Sequence, residues 1–197
     1  MNNYFINDFF ADSTLMYSYL DELHLYTGTE RSGQKFFNRT KGKENKPEST
    51  KFGWTWRKRL TDTTERTWDP EVGLYRTKIM DDHPYLLDIF KEYSNNHFPH
   101  FKWTQVQINR MPNGSSIRQH LDKKNVGESV LVAFGDYKGG RTFIKNDKDN
   151  NFIVTDCREE IAIFNGAERP HGVSSITSGK RYSLVFYKDN LKPMKKY

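Results

Sequence analysis

The part of the chain that follows residue 101 alternates between short β-rich segments and turns, and this pattern limits the fold more than any other feature. Six segments combine branched and aromatic residues at strand length: FKWTQVQINR, ESVLVAFG, RTFIK, NFIVTD, EIAIFNG and KRYSLVFYK. Turn-forming stretches such as MPNGSS and GDYKGG separate them. The pattern predicts an α+β, mainly β domain whose antiparallel strands form a barrel or sandwich of the jelly-roll kind.

Two helical patterns precede these strands. The segment DSTLMYSYLDEL places leucine and tyrosine residues at helical spacing. The segment HPYLLDIFKEYSNN has Pro84 in a first helical turn, followed by an apolar face of Leu86, Ile89, Phe90 and Tyr93. We therefore expect one domain over residues 1–197, with supporting helices and a basic loop in residues 1–100 and a β core at about 101–188.

The cysteine content and the lack of long apolar runs bear on the cellular compartment of the protein. The 197 residues contain one cysteine, Cys157, which excludes a disulfide framework within the chain. No apolar run approaches the length of a membrane span, and the start MNNYFINDFF lacks the layout of a signal peptide. We expect an intracellular protein with no membrane partner, either cytoplasmic or nuclear, or encoded by a virus or phage and active in its host cell.

The stretch RQHLDKKN places His120 two residues before Asp122. Residues two apart on a strand face the same side of a sheet, so this pair offers an imidazole and a carboxylate to one ligand. His171 is the other histidine of the strand-rich half, and Arg181 follows it by ten residues. Two imidazoles and one carboxylate leave coordination positions open, as in non-haem Fe(II) oxygenases. Arg181 would then pair with a carboxylate at the far end of a co-substrate.

The ordered set of His120, Asp122, His171 and Arg181 resembles the Fe(II)- and 2-oxoglutarate-dependent oxygenases over roughly residues 101–188. The resemblance implies a double-stranded β-helix fold. It also implies that the first three residues are catalytic and bind Fe(II), and that Arg181 binds the distal carboxylate of 2-oxoglutarate. Enzymes of this family use O₂ to convert 2-oxoglutarate to succinate and CO₂ while they hydroxylate a C–H bond of a substrate.

Two branches of the family that act on nucleobases share finer patterns with the chain. INRMPNGSSIRQHLD is similar to the AlkB pattern, which implies that Asn109 reaches 2-oxoglutarate. The chain departs from AlkB at Met111 and Tyr187, and at Lys124, which would lie near the base and is a candidate substrate contact.

The stretches HLDKKNVGESVLVAFGDYKGGRTFI and PHGVSSITSGKRYSLVFY look like the TET and J-binding-protein group. Enzymes of that group oxidise the 5-methyl group of thymine or 5-methylcytosine, and we favour this activity. The alternatives are AlkB-like N-demethylation of DNA or RNA, and hydroxylation of a protein prolyl or lysyl residue or of a small metabolite.

Residues 31–60 carry most of the basic charge. They contain ten lysines and arginines and two acidic residues, a net charge of +8. Within them GKENKPEST predicts a loop, and KFGWTWRKRL then places the candidate substrate contacts Trp54 and Trp56 beside Arg57, Lys58 and Arg59. Cations bind phosphates and rings bind base faces, so this segment predicts a nucleic-acid surface, with DNA favoured over RNA. The alternative is a solvated loop whose tryptophans turn into the core.

Overall fold

The computed structural model of the protein describes residues 16–23, 36–38, 47–56, 66–149, 151–158 and 160–191. Three helices lie in these ranges: α1 over residues 16–22, α2 over Lys78–Asp82 and α3 over Leu86–His97. Among the described residues, no helix has the length and apolar character that crossing a membrane requires. The helices α1 and α3 confirm the two helical segments predicted from the sequence.

Thirteen strands lie in the described part of the chain. Four precede α2: β1 (Phe36–Asn38), β2 (Glu48–Thr55), β3 (Trp68–Asp69) and β4 (Leu74–Arg76). Nine follow α3: β5 (Gln105–Pro112), β6 (Ser115–His120), β7 (Asn125–Phe134), β8 (Tyr137–Gly139), β9 (Thr142–Lys145), β10 (Phe152–Thr155), β11 (Ala162–Phe164), β12 (His171–Val173) and β13 (Ile176–Asp189). They form one sheet of eight strands and one of five.

Eight of these strands are divided between the two sheets in the order of a double-stranded β-helix. In chain order the eight are β5, β6, β7, β9, β10, β11, β12 and β13. The larger sheet contains the first, eighth, third and sixth of them as neighbours, and the smaller sheet contains the second, seventh, fourth and fifth. This strand order confirms the predicted mainly β fold of the jelly-roll kind.

The helices cover the outer face of the larger sheet. Leu86, Phe90 and Tyr93 are buried at helical spacing on α3. They share one core with Leu20 of α1 and with Phe186 of β13, whose ring centroid lies 6.0 Å from that of Phe90. The larger sheet is therefore held from outside by apolar helix faces, and its inner face is left for the space between the sheets.

A second core fills the space between the two sheets. Side chains alternate along a strand, so from Arg181 onward the odd-numbered residues of β13 point into this space, while Tyr182, Leu184 and Phe186 point toward the helices. Its buried members include Met111 of β5, Ile144 of β9 and Val173 of β12. Arg181 of β13 enters the same space and is fully buried. The interior between the sheets is therefore apolar except for a few polar groups, and one of them is a guanidinium.

Two segments that the sequence predicts as loops contain strands. The last three residues of GKENKPEST belong to β2, which pairs with β5. Gly53 makes that pairing possible, because its φ is +123° and a Cβ atom there would lie 2.4 Å from the carbonyl oxygen of Thr104. The turn predicted at GDYKGG contains β8, which pairs with β13 and buries Tyr137.

Arg110 joins the N-terminal helix to the sheet. It lies on the outer face of β5, where it donates to the last carbonyl groups of α1 and to an acid on β2. Its partners are the backbone oxygens of Leu20 at 3.1 Å, Asp21 at 3.1 Å and Leu23 at 2.7 Å, and Glu48 Oε2 at 2.7 Å. A cation at a helix C-terminus is also favoured by the helix dipole.

We expect Arg110→Met to lower the free energy of unfolding by roughly 2 kcal/mol, because hydrogen bonds from a charged donor to the end of α1 are lost. Urea denaturation followed by circular dichroism measures this. Arg141→Met is the control, since Arg141 is exposed and its removal should cost less than about 0.5 kcal/mol. Equal denaturation midpoints for the two variants would contradict the assigned role.

Candidate metal centre

The pairing of β6 with β12 places two histidines opposite each other. His171 is the register partner of His120, and the centroids of their rings lie 4.3 Å apart. Between this pair and the next, Val173 with Ile117, β6 advances three residues while β12 advances two. The extra residue is a β-bulge, which lets both Ile117 and His120 turn toward the space between the sheets.

Asp122 completes a group of three ligands with the histidines. Its Oδ2 lies 3.3 Å from Nε2 of His171, and its Oδ1 lies 3.7 Å from Nε2 of His120. The three ligand atoms all lie within 4.8 Å of one another. Two imidazole nitrogens and one carboxylate oxygen at this spacing can bind one face of a divalent metal ion, and the donor set suits Fe(II) or Mn(II).

Backbone carbonyl groups orient both imidazoles. His120 Nδ1 lies 2.8 Å from the carbonyl oxygen of Arg118, and His171 Nδ1 lies 2.9 Å from that of Arg169. A proton on each Nδ1 satisfies these contacts and lets each Nε2, which lies close to Asp122, act as a metal ligand. Hydrogen bonds of this kind commonly fix the tautomer of a metal-binding histidine.

The position of Asp122 has a different cause from the one that its sequence spacing predicts. Strand β6 ends at His120, so the alternation of side chains along a strand does not determine where Asp122 points. Instead, its backbone NH donates to the carbonyl oxygen of Gly166 at 2.7 Å. A Cβ atom on Gly166 would lie 3.4 Å from His171 Cε1 and 3.7 Å from Asp122 Cβ, so this glycine leaves little spare room beside the ligands.

Arg181 lies in the space between the sheets without a carboxylate. Its Nη2 lies 3.3 Å from Thr142 Oγ1, its Nη1 lies 3.8 Å from Met111 Sδ, and its Nε has no hydrogen-bond partner. Its guanidinium carbon is 5.8 Å from the ring centroid of Tyr137. Among the residues that the structure describes, Arg181 has no ion pair, although it is fully buried. Burying an unpaired charge is costly, so this site favours an anionic ligand.

The separation between Arg181 and the three metal ligands can be judged from residues of β9 that neighbour each of them. Thr142, which contacts Arg181, and Ile144, which pairs with His171, are two residues apart on the inner face of β9. Two residues of a strand span about 7 Å. A short dicarboxylate can therefore reach from the metal position to the guanidinium.

Two further groups near Arg181 are held in their neutral forms. Burial raises the pKa of the Tyr137 hydroxyl to about 12, and that hydroxyl donates to Asp156. Burial also raises the pKa of the Cys157 thiol, which donates to Thr142 Oγ1. Thr142, Tyr137 and Cys157 line the site but are not predicted from the sequence. Their only signal is position: Tyr137 lies on β8, Thr142 on β9 and Cys157 in the turn after β10.

A buried polar pair lies at the same end of the sheet as Asp122. The Tyr187 hydroxyl donates to Gln105 Oε1 at 2.6 Å, and Gln105 Nε2 donates to the backbone oxygen of Trp54 at 2.6 Å. Burial raises the pKa of Tyr187 well above its ordinary value, with further contributions from Asp189 and Asp122. Tyr187 therefore stays a hydrogen-bond donor beside the candidate metal site.

The predicted co-substrate and substrate contacts occupy several different places. Asn109 lies on the inner face of β5, where its amide contacts Ser49 and Ser183, and its contact with 2-oxoglutarate stays a prediction. Lys124 is exposed, two residues beyond Asp122.

The aromatic and basic residues of the predicted nucleic-acid surface are only partly described. Trp54 is half-buried and donates its indole NH to Asp69 at 3.0 Å, whereas Trp56 is 55% exposed. Arg57, Lys58 and Arg59 lie outside the described residues. A role for any of these residues in substrate binding stays a prediction.

No protein-family model and no curated protein sequence matches the chain. Solved structures with similar folds include a prolyl hydroxylase from Trichoplax adhaerens in complex with a hypoxia inducible factor peptide fragment. The two sequences are 12% identical, the match covers 96% of this chain and 80% of that chain, and the TM-score is 0.49. The structure of OsALKBH1 is 17% identical in sequence, and the match covers 83% of each chain with a TM-score of 0.48.

The structure of NgTET1 in complex with 5mC DNA gives 16% identity, 75% of this chain and a TM-score of 0.46. The match spans 62% of the NgTET1 chain, which is less than two thirds of it. Because these TM-scores lie below 0.5, we assign the fold from the strand order and the site from its side chains.

We expect His120→Ala to weaken Mn(II) binding by at least about 100-fold, since losing a ligand should exceed the effect of losing an outer hydrogen bond to one. Electron paramagnetic resonance of free Mn(II) measures this directly. His100→Ala is the control, because His100 is exposed and precedes β5. If the His120 variant, still folded by circular dichroism, binds Mn(II) as the wild type does, the ion binds elsewhere.

Proposed function

We propose that the protein is an Fe(II)- and 2-oxoglutarate-dependent dioxygenase that oxidises a methyl group on a nucleic-acid base. One observation carries the proposal: the His120, Asp122 and His171 ligand set shares the space between the sheets with the buried, unpaired guanidinium of Arg181. A metal site alone fits many reactions. When a guanidinium lies about two strand residues, or about 7 Å, from a metal site, the pair favours a co-substrate with a chelating end and an anionic end.

The residues fit this pair of ligands. The two imidazoles and one carboxylate would hold Fe(II) and leave positions for the 2-oxo acid end of 2-oxoglutarate and for O₂. Arg181 would bind the distal carboxylate through charge-assisted hydrogen bonds, to which its unpartnered Nε can contribute. Bound iron with 2-oxoglutarate would supply the activation of O₂ and the oxidation of a substrate C–H bond.

The chain's own side chains have three roles in this proposal. The ligand triad holds the metal, with both imidazoles oriented by backbone carbonyl groups. Arg181 and Thr142 orient the co-substrate within the inner core. Apolar neighbours such as Leu131, Ala133 and Ile144, which are buried in the same core, exclude water from it.

The choice of a base methyl group as the target rests on three supports. The stretch from His120 to Ile144 resembles the TET and J-binding-protein group. The chain carries a net charge of +6, with +8 in residues 31–60. Trp56 is exposed, and three consecutive cations, at 57–59, follow it in the sequence. A base must leave a duplex to reach a metal held between two sheets, so either a flipped base or single-stranded DNA is the expected substrate.

Arg181→Met should weaken 2-oxoglutarate binding by about 30-fold or more, because truncating one partner of a buried charge pair typically costs roughly 2–5 kcal/mol. Isothermal titration of the Mn(II)-loaded protein measures the affinity, and Mn(II) binding itself should change far less. Lys180→Met is the matched control, since Lys180 bonds to Asp21 instead. An unchanged affinity in the Arg181 variant would reassign the carboxylate site.

Incubation with DNA that contains 5-methylcytosine should add an oxygen atom to the base, which mass spectrometry of the released nucleosides detects. The same sequence with unmodified cytosine is the control.

Replacing Arg57, Lys58 and Arg59 together by Ala should flatten the dependence of log affinity on log salt by up to about three units, one for each lost phosphate contact. If neither DNA nor RNA binds at low salt, a protein or metabolite hydroxylase becomes the better account.

A further inference from the structure

A cavity of about 280 Å³ lies on the outer side of the larger sheet, away from the space that contains the metal ligands. Its wall is built from the end of β2, one face of α3 and the segment between α3 and β5. Three aromatic side chains line it, Trp54, Phe101 and Trp103, together with two lysines, Lys91 and Lys102. The cavity therefore combines ring faces with positive charge, and neither the metal site nor the predicted co-substrate uses it.

Hydrogen bonds hold the two indole rings in place. Trp54 donates its indole NH to Asp69 at 3.0 Å. Trp103 donates its own to Ser94 Oγ at 3.1 Å, and that hydroxyl donates to the backbone oxygen of Lys91. Both indoles line the cavity while their NH groups are bonded inside the protein, so a ligand there would meet ring carbons rather than a free NH group. Both tryptophans are half-buried, so little freedom remains to be lost when something stacks on them.

Lys91 and Lys102 give the cavity positive charge, and no acidic side chain is among the described residues that line it. Lys91 and Lys102 are exposed, and neither forms an ion pair with a described residue. The two acids of α3, Asp88 and Glu92, do not line the cavity. Asn95 does line it, one helical turn after Lys91, and adds an amide that can donate or accept.

The cavity lies at the same end of the larger sheet as the candidate metal centre. Gln105 pairs with Tyr187 across β5 and β13, and its amide bonds to the backbone of Trp54. Two residues further along β13, Asp189 pairs with Asn125, whose backbone NH donates to the carbonyl oxygen of Asp122. One polymer that passes around this end of the sheet can therefore reach both the metal site and the cavity.

We propose that this cavity binds one nucleotide of a single-stranded nucleic-acid segment that flanks the oxidised base. Trp54, Phe101 and Trp103 stack on the base, and Lys91 and Lys102 bind the adjoining phosphates. The inference rests on the proposed function and extends it with a second contact point outside the metal site. Stacking accepts any base, so the cavity contributes affinity and direction rather than sequence selection.

The first test measures binding of a short, fluorescent single-stranded oligonucleotide to the full-length, Mn(II)-loaded protein over a series of salt concentrations. Lys91→Gln combined with Lys102→Gln should weaken binding about 10-fold at low salt and flatten the salt dependence by about two units. The matched control combines Lys138→Gln with Lys148→Gln, which removes the same charge from exposed positions on β8 and the loop after β9. The control should change binding by less than about 2-fold, because neither lysine lines the cavity and exposed charges away from a bound phosphate are screened by salt.

The second test distinguishes the contribution of ring stacking to binding from that of the lysine charges. Trp103→Leu should weaken binding of the oligonucleotide roughly 5-fold or more and leave binding of an abasic oligonucleotide of equal length unchanged. Trp103 also packs on Phe186, with 5.5 Å between ring centroids, so this variant can lose stability. Photo-crosslinking of the wild-type protein to an oligonucleotide containing 5-iodouracil avoids that problem, and peptide mapping should find the crosslink on Trp54 or Trp103.

Four outcomes overturn the inference. If the wild type binds the oligonucleotide but the two lysine double variants behave alike, or if the crosslinks map only elsewhere, this site is wrong while the proposed function stands. If polyglutamate binding requires Lys91 and Lys102 and oligonucleotide binding does not, the cavity takes an acidic peptide. If the wild type binds no nucleic acid at low salt, the inference and the nucleobase substrate fall together.

Discussion

The antiparallel pairing of β6 with β12 is the constraint on which the candidate site depends. It brings residues fifty-one positions apart in sequence into direct register, so that His120 and His171 face each other from neighbouring strands. The bulge in β6 then turns His120 inward without breaking the pairing on either side. Since the final strand β13 pairs with β5 and β7 in the opposite sheet, the same fold brings Arg181 across the interior toward β9. Loss of the β6–β12 register would separate the histidines and leave Asp122 without its partners.

The ligand set could be predicted from the sequence because it depends on residue chemistry and on few histidines. Only His171 is available in the strand-rich half to join His120, and Arg181 opens an evidently β-rich segment. The reason for the position of Asp122 could not be predicted, since it lies beyond the strand and is held by Gly166. That contact joins two loops more than forty residues apart, and no local pattern encodes it.

The larger fold was predictable where strands carry runs of apolar residues and was missed where one face of a strand is polar. The strands β5, β7 and β13 have buried apolar residues in long runs. Strand β2 has Ser49, Lys51 and Gly53 on one face, opposite Asn109, Gln107 and Gln105 of β5, and Lys51 is exposed, so its sequence is typical of a loop. The cavity beside Trp54 and Trp103 was missed for another reason: its wall joins Trp54 to residues 91–103, two parts of the chain that are distant in sequence.

Arg181 also affects how the protein behaves in the absence of its ligand. A buried guanidinium without a carboxylate destabilises the ligand-free fold, and an apolar side chain of similar length would relieve that cost. Selection for thermal stability and selection for co-substrate affinity therefore favour different residues at this position. By mass action, a dicarboxylate that pairs with the guanidinium would raise the melting temperature in proportion to the logarithm of its concentration once the site is saturated. For the proposed enzyme, heat resistance would then depend on the supply of co-substrate as well as on the polypeptide.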